Sequence, residues 1–179
     1  IASILKFPVN STIERVVSVG EKRVMVGNGK LGIIGAGNFA SATIIPALQK
    51  VNTPIKYIAS AQGLTAKVLA KKAKAENATS DYHVMLSDPE VNTVLVTTRH
   101  NMHASMVIEA LKAGKSVFVE KPLCLNEEEL QNIEKVYMDA NDRVTLTVGF
   151  NRRFSPFAEK MKTLLGGGPK NIVATMNAL

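Results

Sequence analysis

The sequence predicts a doubly wound α/β fold on a mainly parallel sheet, followed by the truncated start of a second α+β domain. Three observations carry this. Short apolar runs alternate with helix-forming stretches from Leu31 to Val148, the signature of βαβ units. Several of the runs are continuously apolar, as suits strands covered on both faces. A glycine turn, Gly35-Ala36-Gly37, stands between the first run and the first helix.

Taken in order, residues 31–34 form the first strand and 38–50 the first helix, which Pro54 terminates. Residues 55–59 form the second strand. A helix rich in Ala, Lys and Leu follows over 65–76, and a short one over 82–86. Ser87-Asp88-Pro89-Glu90 turns the chain into a strand at 93–97. Residues 104–113 form a helix with Gly114 at its C-terminal cap, and 116–119 a strand. Asn126 caps a helix opened by Glu127, Glu128 and Glu129, whose carboxylates meet the positive end of its dipole. The run 144–148 ends the domain. Gly166-Gly167-Gly168-Pro169 breaks the chain before a further strand at 171–177. The organisation is thus a lead-in over 1–30, the α/β domain over 31–150 and the start of a second domain over 151–179. In the lead-in, Ser11 with Glu14 fits a capping box ahead of Val16, Val17 and Val19. It reads equally as the tail of a preceding domain or as a simple linker or extra helix. A first residue of Ile rather than Met suits a piece of a larger or processed protein.

Composition narrows the function. Apolar residues make up 46 %, enough for a core. Aromatics are 5 % and Trp is absent, which disfavours an aromatic platform for single-stranded nucleic acid. No run approaches the length of a membrane span, and residues 1–5 are too short for a secretory core. Cys124 is alone, so no internal disulfide or Cys-rich zinc site forms; a reducing, cytoplasmic setting suits it. The net charge of +7 suits an anionic partner, a phosphate-bearing small molecule or nucleic acid. Lys67, Lys71, Lys72 and Lys74 read as a solvated helix face.

Four places carry chemistry. Gly35-Ala36-Gly37-Asn38-Phe39-Ala40 is G-x-G-x-x-A between strand and helix. Gly35 permits the sharp turn, Gly37 the approach of a pyrophosphate, and Ala40 close helix–strand packing; free N–H groups at the helix start face the phosphates. This is the Rossmann fingerprint for a dinucleotide, NAD or NADP. At the tip of the second strand stands Ser60, with Gln62 nearby, and no acid to hold a ribose 2′-hydroxyl or repel a 2′-phosphate. Thr98-Arg99-His100-Asn101-Met102-His103 follows the strand at 93–97. His100 and His103 lack a third metal ligand; His100 reads as a cofactor contact, and His103 either as one or as a core histidine at a helix start. Glu120-Lys121-Pro122 ends the next strand, where the Lys121 ammonium can stabilise developing alkoxide charge. Otherwise Glu120 forms a salt bridge and Pro122 a turn.

The order of these motifs, with residues 110–122 and with Val148-Gly149-Phe150-Asn151-Arg152-Arg153-Phe154-Ser155-Pro156, resembles the Gfo/Idh/MocA oxidoreductases. Arg99-His100, where most of that family has Pro-Asn, and the run 149–156 resemble a bi-domain subgroup. In that subgroup an alcohol-dehydrogenase-like domain precedes this part. The resemblance implies that Gly35, Gly37, Asn38 and Phe39 hold the pyrophosphate and that Ser60 faces the adenine ribose. Thr98, His100 and Glu120 then line the nicotinamide half, Lys121 stands at the hydride-transfer site, and Arg152 touches nicotinamide or substrate. It implies a polyol or sugar substrate, a homo-oligomeric full-length protein, and further acid/base groups in an open antiparallel sheet beyond this chain.

The expected function is that of an NAD(P)-dependent dehydrogenase fragment acting with a secondary alcohol, with no nucleic-acid or membrane partner. The alternative is a non-catalytic dinucleotide sensor; Lys121 favours the enzyme, because binding alone needs no ammonium there.

Overall fold

A computed structural model describes residues 15–19, 29–140, 143–169, 171, 173 and 175. The chain divides into two units, residues 1–148 and 149–179.

The first unit is built on a sheet of seven strands in the order β1-β4-β3-β2-β5-β6-β7. These are β1 (Val16–Ser18), β2 (Lys30–Ile34), β3 (Ile55–Ala59), β4 (Asn77–Thr79), β5 (Val91–Val96), β6 (Ser116–Glu120) and β7 (Leu146–Gly149). From β4 through β6 every pairing is parallel; β1 pairs antiparallel with β4. The chain steps outward from β2 to β3 and β4, then returns to the other side of β2 at β5. The strand order therefore reverses at β2, which opens a crevice above its carboxyl end, beside Gly35.

Alternate residues of the central strands supply two cores. On one face Ile34, Val94, Val96, Val117 and Val119 pack against α3 (Tyr82–Leu86), α4 (His103–Lys112) and α5 (Glu127–Asp139). On the other, Ile33, Ile58 and Leu95 pack against α1 (Ile45–Lys50) and α2 (Gly63–Ala73). This two-sided burial explains the continuously apolar runs.

The N-terminal ends of the strands are tied by charge. Lys30 pairs with Glu76 at 2.9 Å, and buried Lys56 with Asp88 at 2.6 Å and with Glu90. Lys115 Nζ donates to the Asp88 and Val91 carbonyls at 2.8 and 2.7 Å. Those charges sit at the end of the sheet opposite the crevice.

Several helix ends follow the sequence. Asn126 accepts the Glu129 N–H at 2.9 Å, and the Glu129 carboxylate accepts the Leu125 N–H at 2.7 Å. Gly114, at φ +70°, ends α4 by donating to Leu111, while Lys115 N–H donates to Ala110. In the first helix a π-helical turn at Ala40–Ile44, closed from Ile45 N–H to Ala40, leads into Pro46, which has no N–H to donate.

Other elements depart from expectation. The helix expected over 65–76 occupies Gly63–Ala73, because Lys74 takes a left-handed conformation at φ 55°. The residues freed by that turn become β4. Val16 and Val17 form an edge strand, not a helix; Ser11 and Glu14 lie outside the described residues. In the second unit a 3₁₀ turn at Asn151–Phe154 precedes α6 (Pro156–Leu165), capped by Ser155. Asn171, Val173 and Thr175 belong to no strand, and the rest of the strand expected at 171–177 lies outside the described residues.

Candidate functional site

A cavity of about 600 Å³ opens where β2, β3 and β5 end, lined by Ile34, Ala59 and Thr97 and by the turns that follow them. Its floor is the glycine turn. Gly35 N–H donates to the Ala59 carbonyl at 2.9 Å, and Thr97 N–H to Ile34 at 2.8 Å. The Thr97 hydroxyl lies 3.1 Å from the Gly35 carbonyl. The turn is thus pinned from the strand on either side.

The two glycines serve different ends. Gly35 has φ +110°, and a Cβ there would stand 2.7 Å from the Thr97 carbonyl oxygen. Only glycine fits that backbone and that space. A Cβ on Gly37 would meet nothing within 4 Å. Packing therefore does not demand glycine at 37. Asn38 and Phe39 stand exposed at the helix start beside it, and Ala40 is fully buried, as its role in helix–strand packing requires.

On the β3 side, half-buried Ser60 lines the cavity with Gln62, whose Oε1 accepts the Thr65 hydroxyl at 3.3 Å. No carboxylate is among the described lining residues. Tyr82 closes this side. Its hydroxyl donates to Glu109 at 2.8 Å, and burial together with Glu109 pushes the phenol up to about 12, so it stays neutral. Behind it His83 bridges Asp81 at 2.8 Å and Glu109 at 3.0 Å. The hydrogen bond to Asp81 leads in raising the imidazole above its usual range; His83 and then Arg15 hold Asp81 below its own.

On the β5 side Thr98, Arg99, Met102 and Met106 line the cavity. His100 is exposed and lies outside the lining. His103 is fully buried. Its Nδ1–H donates to the Pro122 carbonyl at 2.7 Å, and Nε2 faces the Thr98 carbonyl at 3.2 Å. The cofactor contact expected of His103 is therefore replaced by a brace between the turns after β5 and β6. The two histidine rings meet edge to face at 5.7 Å; with both His103 nitrogens facing carbonyls, they do not form a metal pair.

The structure thus gathers Gly35, Gly37, Ser60 and Thr98 around one cavity. Half-buried Glu120 and exposed Lys121 stand at the end of β6, outside the lining, with Lys121 joined to the braced Pro122. Arg152 is exposed in the second unit. Sequence reasoning missed Thr97, Ser80, Tyr82 and the two methionines. Tyr82 was findable only through β4, since it is that strand which carries Ser80 and Asp81 to the crevice.

Comparison with known proteins agrees with this geometry. The chain is 35 % identical over 137 residues to the uncharacterized oxidoreductase YrbE of Bacillus subtilis, covering 76 % of this chain and 40 % of that protein. It is 33 % identical over 145 residues to the myo-inositol 2-dehydrogenase of Thermotoga maritima, covering 80 % and 40 %. Its fold matches KijD10, a 3-ketoreductase from Actinomadura kijaniata solved with NADP and TDP-benzene, with a TM-score of 0.70, 26 % identity, and 78 % of this chain and 42 % of that one covered. The chain spans about 40 % of the length of the curated relatives it matches. Residues 29–150 match the profile described as the oxidoreductase family, NAD-binding Rossmann fold, the stretch that carries β2 to β7 and the glycine turn. The chain belongs to the Gfo/Idh/MocA oxidoreductase family.

Proposed function

We propose that this chain is the cofactor-binding part of a cytoplasmic NAD(P)-dependent dehydrogenase acting on a secondary alcohol of a sugar or cyclitol-like substrate, with residues 151–179 beginning its substrate domain. The observation that carries the reading is the contrast at the glycine turn. At Gly35 the fold leaves no room for a side chain, while at Gly37 it leaves open space, which we read as room for a ligand. The cavity's wall, with no carboxylate among its described residues, and its place at the strand reversal suit a dinucleotide lying across β2.

Bound there, a nicotinamide ring supplies the hydride acceptor or donor. The glycine turn and the helix start hold the pyrophosphate through N–H groups. Ser60 and Gln62 hydrogen-bond the adenine ribose and, lacking an acid beside them, admit a 2′-phosphate as well as a hydroxyl. Lys121 donates to the substrate oxygen and stabilises the charge that grows as hydride leaves the carbon. An ammonium stabilises that oxygen but does not take its proton, so a separate base completes the reaction.

The test compares the 179-residue chain with a version extended to the relatives' length. Both are expected to bind NADH and NADPH, and only the longer to oxidise polyols. In that longer form Lys121→Ala should lower turnover by about 100-fold or more with dinucleotide affinity retained. Turnover by the short chain at the longer one's rate would overturn this division of labour. A long form that binds dinucleotide but turns over no polyol would favour a sensor.

A further inference from the structure

Among the described residues lining the cavity, Arg99 carries the only charge. The rest of the wall is backbone, hydroxyl, amide, phenol and apolar side chain. A pyrophosphate brings two negative charges to it, and the glycine turn answers with N–H dipoles alone. No acid in the first helical turn opposes them.

Arg99 is exposed and makes no side-chain hydrogen bond or ion pair among the described residues, although carboxylates elsewhere in this domain are extensively paired. Its backbone is held. The Arg99 carbonyl accepts the Met102 N–H at 3.0 Å, and two residues earlier Thr97 is bonded to both Ile34 and Gly35. A long cationic side chain is thus rooted beside the glycine turn with its head uncommitted.

We propose that Arg99 is a phosphate-binding residue, its guanidinium engaging the pyrophosphate from the β5 side while the glycine turn engages it from below. This rests on the dinucleotide reading. The strand order separates the pyrophosphate from the other anionic candidate. A 2′-phosphate would sit beyond β3 near Ser60, on the opposite side of β2 from Arg99. Guanidinium suits the task because it presents paired donors to phosphate oxygens, which an ammonium cannot match.

Calorimetry on the 179-residue chain tests this with NADH, NADPH, ADP and adenosine. Arg99→Ala should weaken NADH, NADPH and ADP alike, by about tenfold or more, and leave adenosine unchanged. The affinity of the parent chain for ADP should fall as salt rises, and that slope should flatten in Arg99→Ala. Arg99→Lys should restore the slope and only part of the affinity. Unchanged ADP binding in Arg99→Ala overturns the proposal, as does a loss confined to NADPH, which would place the guanidinium at the 2′-phosphate. Gly37→Val separates the two layers. If it leaves ADP and NADH binding intact, the dinucleotide reading itself fails; if it abolishes binding while Arg99→Ala does not weaken it, only the role of Arg99 fails.

Discussion

The Thr97 carbonyl oxygen lies where a side chain on Gly35 would go, 2.7 Å from an ideal Cβ. Two strands and the phosphate turn are so close there that the absence of a side chain is part of the packing. Gly35→Ala combines that collision with a left-handed backbone, and should cost about 1–3 kcal/mol of stability. Gly37→Val meets open space and should stay within about 0.5 kcal/mol of the parent while losing at least tenfold in NADH affinity. Urea unfolding and calorimetry on the two variants separate the glycine that folds the turn from the one that admits the ligand. A Gly37→Val protein as unstable as Gly35→Ala would remove the distinction.

The brace at His103 predicts a different pattern. His103→Phe keeps bulk but leaves the half-buried Pro122 carbonyl without its donor, at a cost of about 1–3 kcal/mol. His100→Ala, at an exposed position, should fall within about 0.5 kcal/mol. The comparison is read from urea midpoints at constant slope. Equal effects at both positions would mean that the brace adds nothing.

The cluster behind Tyr82 gives a pH signature. His83 faces Asp81 and Glu109, with Arg15 on Asp81 and the neutral Tyr82 phenol on Glu109. Because the folded state raises His83 above 6.5, its stabilising contribution is complete below that value and is lost as pH rises through the folded pKa. Asp81 is lowered from 3.8, so its contribution holds above that value and is lost as pH falls through the folded pKa. Both pairs are largely solvated, so the effects are small and weaken with salt. Melting temperatures across pH 5.5 to 8.5, a window of about one unit below to two above the ordinary imidazole value, should decline slightly in the parent. They should decline less in His83→Gln, and identical slopes would dismiss the cluster.

The readable parts of this chain were those where one residue type has one physical use. Apolar runs had to be two-sided strands, Asn126 before three glutamates had to be a cap, and Gly35-Ala36-Gly37 between strand and helix had to be a sharp turn. Asn77-Ala78-Thr79 offered no such sign. Asn77 and Ala78 are weak strand formers and only Thr79 favours a strand; the segment becomes β4 because Lys74 ends α2 and the edge of β3 is there to receive it. Losing β4 from view meant losing Tyr82 and Ser80 from the cavity. His103 shows the converse limit. Its place in the motif made it a candidate cofactor contact, but whether a histidine points to a crevice or to two carbonyls depends on contacts such as Pro122, nineteen residues away.

The antiparallel pairing of β1 with β4 reaches beyond this fold to how the domain behaves alone. Val16, Val17 and Ser18 cover the outer edge of β4, while the Arg15 carbonyl accepts from the Thr79 hydroxyl at 2.7 Å. A piece begun at residue 29, where the family match starts, would lay that edge bare. Its unpaired N–H and C=O groups would offer a template to any extended segment, including the same edge on another molecule. The strand that pairs with β4 thus lies ahead of the family's stretch, and a domain boundary drawn by similarity alone would cut it away.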